Sequence, residues 1–121
     1  MFPGGARPTT GLGTGPGNNL RLATIRQAMT DVNNAVNAPG TPAYKRGLLD
    51  HEVLQAAGRL QNVVAPLPGN WANLDAAWQA FQVTWNNIKV ATPAGTALTA
   101  GQQNTLQTDA ANLVALAAAL T

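Results

Sequence analysis

The sequence predicts an all-α protein, an up-down-up-down antiparallel four-helix bundle with an extended Gly/Pro-rich N-terminal arm. Three observations predict it. Four segments repeat apolar residues at alternating spacings of three and four, the period of one helix face. Pro and Gly punctuate the boundaries between those segments, and the connections are short. No run of alternating apolar and polar residues survives inspection, so strands have no support. The chain has 121 residues, room for one domain with a tail.

Residues 1–18 are rich in Gly and Pro and almost without apolar side chains. Such a stretch buries too little surface to offset its ordering entropy, so it is expected to be an extended arm rather than a folded unit or a linker. The bundle is expected over 19–121. The first helix is predicted at about 19–37, capped by Asn18 or Asn19, with Leu22, Ile25, Met29, Val32 and Val36 on one stripe. The second is predicted at 42–65, with Thr41 as N-cap, Pro42 at its first position and the stripe Leu49, Val53, Ala56, Leu60 and Val63. The third, at 70–90, starts from a cap at Asn70 and carries Trp71, Leu74, Trp78, Phe81, Trp85 and Ile88. The fourth, at 99–120, opens with the capping box Thr99-x-x-Gln102 and carries Leu106, Ala110, Leu113, Ala117 and Leu120. Large aromatic side chains on the third helix face a fourth helix of mostly Ala, so the Trp ladder is expected to pack partly onto that Ala-rich surface.

Composition narrows the chemistry. Charged residues make up 10 % of the chain, where about 25 % is usual, and Thr, Asn, Gln and Ala fill the gap. The net charge of +2 comes from scarce acids, and the seven Lys and Arg are scattered along the chain, so dedicated nucleic-acid binding is not expected. There is no Cys and no Ser, and His51 is the lone histidine. These absences leave no thiol or serine nucleophile and no multi-histidine metal centre. Asp50-His51-Glu52 is the only run of titratable residues, but successive helical positions point about 100° apart and cannot converge on one atom. The glycines at 11, 13, 15 and 17 match neither a dinucleotide nor a phosphate loop. No catalytic residue, cofactor, metal or small-molecule substrate is expected. No apolar stretch reaches the length of a membrane span and no secretory signal is visible, so direct membrane insertion is not expected.

What remains is contact with other proteins. The last turns of the fourth helix are apolar nearly all round, which asks for cover on every face. Val114, Leu116 and Ala118 are therefore candidate interface residues. Trp71 joins them from a helix end, as do Phe2, Arg7 and Leu12 of the arm. A low-charge body, an arm and an apolar last helix describe a non-enzymatic structural subunit of a large assembly. A phage or virus particle component is the expectation: capsid cement, neck or tail, located in the virion, with copies of itself among its partners. The alternative is an independent helical binding module, secreted or cytoplasmic, that holds a protein or small ligand between its helices.

Overall fold

A computed structural model describes residues 16–121, with side chains from Arg21 onward. These residues form four helices: α1 (Pro16–Asn37), α2 (Pro42–Gln61), α3 (Trp71–Ala91) and α4 (Ala100–Ala118). There is no strand among the described residues, and the arrangement is consistent with a four-helix bundle. α1 packs closely on α2 and α4, and α3 packs closely on α4.

The stripes read from the sequence become the core. On α1, Leu22, Ile25, Met29, Val32 and Val36 are buried; Ala28 and Ala35 lie between them, small enough to admit close neighbours. α3 buries Leu74, Trp78, Phe81, Trp85 and Ile88, and α4 buries Leu106, Ala110, Leu113 and Ala117. α2 contributes least. Leu49, Ala56 and Leu60 are buried, whereas Val53 and Val63 are only partly covered. The close approach of α3 to α4 fits the expected match of large side chains to small.

Several boundaries differ from the expected ones. α1 begins at Pro16 rather than residue 19, so residues 16–18, expected in the arm, are helical, and Asn18 and Asn19 lie inside the helix rather than capping it. Pro fits a first helical position because its missing N–H has no partner to lose there. α2 ends at Gln61, four residues before the expected 65, with Asn62 as its C-cap. Pro66 disfavours helical backbone at the residue before it, and the segment 62–70 becomes a connection instead. Asn70 precedes α3 as expected but does not cap it. Its backbone is left-handed (φ 66°) and its side chain makes no cap hydrogen bond. The backbone closes that turn itself, with Trp71 N donating to the Pro68 carbonyl at 3.1 Å. The other two caps stand as read. Thr41 Oγ1 accepts from Tyr44 N at 3.2 Å. Thr99 Oγ1 accepts from Gln102 N at 3.1 Å, while Thr99 N donates to Gln102 Oε1 at 2.9 Å.

Two glycines serve definite needs. Gly40, between α1 and α2, sits at φ +140°, and a Cβ there would run into the Tyr44 ring. Gly69 lies against Thr121, whose carbonyl accepts from Gly69 N at 3.2 Å, and a Cβ would collide with the Thr121 hydroxyl.

Candidate functional site

The C-terminal ends of the helices are held by side chains from elsewhere in the fold. The last carbonyls of a helix lack intrahelical donors and carry the negative end of the dipole, so a cation or amide donor there is stabilising. Gln103 of α4 donates to Val36 O in the last turn of α1 at 2.9 Å. Arg46 of α2 donates to Lys89 O at 3.0 Å and Thr92 O at 2.7 Å, closing the end of α3. Arg26 of α1 reaches Ala117 O at 3.1 Å and Leu120 O at 2.8 Å at the end of α4. Arg21 donates to Val64 O in the segment after α2.

The seam between α2 and α3 is built differently. Here the chain relies on long side chains rather than close backbone approach. Asp50 Oδ1 accepts from Trp85 Nε1 at 2.9 Å and from Lys89 Nζ at 2.7 Å. The Lys89 ammonium also lies 5.5 Å from the centre of the Trp85 ring. One acid thus satisfies a largely buried indole N–H and pairs with a cation. The sequence marks Asp50 only as part of a titratable run that cannot converge, and its partners on another helix are not visible there. On the far side of α2, Arg59 Nη1 meets Asp31 Oδ2 of α1 at 2.9 Å, and Gln27 Nε2 donates to Asp31 Oδ1 at 2.8 Å.

Where α1 ends and α2 and α4 begin, the helices leave a cavity of about 420 Å³. Val36, Leu49, Leu98 and Leu106 give it apolar walls, and Trp85 forms part of its surface. Lys45, Arg46, Thr96, Thr99 and Gln103 supply the polar lining, and no lining residue is acidic. Its size falls within the range of about 300–1,000 Å³ usual for small-molecule sites. Sequence reading missed it. The adjacent Lys45 and Arg46 and an isolated Leu98 in a Pro/Gly loop were the available signals, and neither is specific. A second, shallower depression between α3 and α4, around Thr84, Ile88 and Thr105, is lined by no ionisable residue.

The expected interface residues are dispersed. Trp71, Val114 and Leu116 are half-buried and pack against the core, and Ala118 is exposed. Phe2, Arg7 and Leu12 lie outside the described residues. The large apolar side chains that do stand in solvent are elsewhere: Tyr44 and Leu54 on α2, Val83 and Val90 on α3, and Val64 and Leu67 in the connection between them. His51 is exposed on α2. Among the described residues no three His, Asp or Glu gather as a metal-binding group, and no helix is long and apolar enough to cross a membrane.

Compared with protein families, curated proteins and solved structures, the chain matches none of them.

Proposed function

We propose that this protein is a non-enzymatic structural subunit of a large assembly, a component of a virus or phage particle, packed against neighbouring protein subunits that include copies of itself. In this reading the helices alternate up and down, and residues 1–15 form an arm that reaches those neighbours. Phe2, Arg7 and Leu12 of the arm make the contacts together with Trp71, Val114, Leu116 and Ala118 of the body.

The observation that carries the reading is where the charges go. Arg21, Arg26, Arg46, Arg59 and Lys89 all bond to carbonyls or carboxylates of the chain itself. Asp31 and Asp50 are bonded in the same pairs. The most exposed positions are largely Ala, Asn, Gln and Thr, with Leu54, Val83 and Val90 among them, while Lys45, Glu52, Asp75 and Asp109 are half-buried. Such a surface gives little colloidal repulsion. It also has few charges to desolvate when another protein covers it, which is the character of interface centres.

Sedimentation velocity over a range of concentrations tests this. The full chain should associate beyond its 12.5 kDa monomer. A form lacking residues 1–15 should keep its melting temperature but lose higher-order association. A chain that stays monomeric at every concentration, or a truncated form that associates as the full chain does, refutes the reading.

The cavity of about 420 Å³ favours a second reading, an independent helical module that holds a ligand between its helices, in a secreted or cytoplasmic setting. It predicts a stable monomer whose melting temperature rises with a ligand that fills the cavity.

A further inference from the structure

We infer that the cavity bounded by the start of α2 and the start of α4 binds a small amphipathic carboxylate, with the aliphatic chain among the apolar walls and the anionic head at Lys45. The inference rests on the second reading, in which the cavity is a binding site.

The walls decide the body of the ligand. Leu49 and Leu106 are core residues, 3 % and 0 % exposed, and Val36 is equally enclosed. With Leu98 and Trp85 they offer an apolar surface on several sides. The Trp85 indole N–H is already bonded to Asp50, so Trp85 presents ring and no free donor. Against these apolar walls a hydrogen-bonding group would find no partner, and a saturated chain brings none.

The rim decides the head. Each charged residue of the lining is a cation. The Arg46 guanidinium is anchored by one bond each to Lys89 O and Thr92 O, and its charge remains. Lys45 is half-buried, and its ammonium makes no hydrogen bond or ion pair among the described residues; its backbone N–H donates to the Thr41 carbonyl. Of the two acids on the same helix, Asp50 is paired with Lys89 at 2.7 Å, and neither Asp50 nor Glu52 lines the cavity. Pro42 and Ala100, the first residues of α2 and α4, line the cavity together with Ala35 and Val36 in the last turn of α1, so the positive ends of two helix dipoles face it against the negative end of one, and that end is met by Gln103 at Val36 O. The charged side chains at the cavity are therefore all positive, and Lys45, unpartnered among the described residues, supplies a charge-assisted donor.

The test is calorimetric titration of the full chain with decanoate, decanol and decyltrimethylammonium, each below its micellar concentration. Trp fluorescence provides a second readout. Decanoate should bind one to one, roughly tenfold or more tighter than the other two, the worth of one charge-assisted contact. Lys45→Glu should remove that advantage and leave decanol binding unchanged. Ala97→Trp, in the loop that lines the cavity, should weaken all three; melting curves identify any variant that has lost its fold. Equal binding of the three probes, or full decanoate affinity in Lys45→Glu, overturns the carboxylate assignment while the cavity remains a site. Binding of none of them overturns the assignment and the second reading together.

Discussion

Trp78 shows how much a single side chain carries in a body with so few large ones. It is 2 % exposed and stacks on Phe81 with ring centroids 5.9 Å apart and planes 10° from parallel. Removing the indole deletes the transfer energy and leaves a hole between α3 and its neighbours, so Trp78→Ala should cost about 3–5 kcal/mol in denaturant unfolding. A neutral substitution would mean that the aromatic stripe is not the centre of the fold. Asp31 acts on a smaller scale and through pH. Burial pushes its carboxyl up, but hydrogen bonds from Gln27 and Arg59, together with the Arg59 charge, outweigh this and hold it below the usual 3.8. A carboxyl lowered in the folded state adds stability above the ordinary carboxylate range, and loses it as pH falls through the folded value. The side chains of Asp31 and Arg59 are 27 % and 36 % exposed, so solvent screening keeps the pair under about 1 kcal/mol. Asp31→Asn should therefore melt slightly earlier than the parent at neutral pH, and the difference should close on acidification. A difference that grows in acid would contradict the assignment.

At the scale of elements, the ends matter more than the middles. The capping box at Thr99 meets two backbone and side-chain needs at once, and Thr99→Ala should cost about 1 kcal/mol. Arg26 is the larger case, since its guanidinium serves the Ala117 and Leu120 carbonyls together. Arg26→Ala should cost about 2 kcal/mol, and amide exchange should quicken in the last turn of α4 before it does in α3. Thr99 could be read from the sequence and Arg26 could not, for a physical reason. A capping box is local, written in four consecutive residues. A side chain that closes another helix depends on which ends meet in space, and Arg26 lies 91 residues from Ala117. The same division runs through the molecule. The buried stripes of α1, α3 and α4 follow from helical period and were legible, with Trp71 the exception: it was read in the α3 stripe and is only half-buried. The end of α2 was not, because Val63, Val64 and Ala65 continue an apolar pattern into a stretch that Pro66 turns away from helix. The left-handed backbone at Asn70 was also illegible: Asn is a good cap and a good left-handed residue, and its sequence does not choose between them. The cavity was hidden for a further reason. It is volume that no side chain fills, and no single residue type announces that.

At the scale of the whole molecule, the four helices are unequally held. α1 and α4 each pack closely against two neighbours, whereas α2 packs closely against α1 alone and meets α3 through Asp50, Arg46, Trp85 and Lys89. α3 also has one close neighbour but buries five large side chains, three of them aromatic; α2 buries Leu49, Ala56 and Leu60. Stability is distributed as contact is, and segments with little buried surface open before the global transition. α2 should therefore be the first helix to open. Native-state hydrogen exchange should find the amides around Leu49 and Ala56 less protected than those around Phe81 and Leu106. Asp50→Ala should widen that gap, because it strips the Trp85 indole of its acceptor and frees the Lys89 ammonium, leaving Arg46 to tie α2 to the end of α3. Removing the partner of a buried donor costs about 1–3 kcal/mol, and here the loss should fall on the opening of α2 more than on α1 or α4. The start of α2 is also one wall of the cavity, so an α2 that opens easily would admit a ligand without unfolding the rest. A ligand that bridged Lys45 to Leu106 would then raise protection in α2 selectively. Equal protection across the four helices, with Asp50→Ala lowering all of them alike, would show instead that the bundle opens only as one unit.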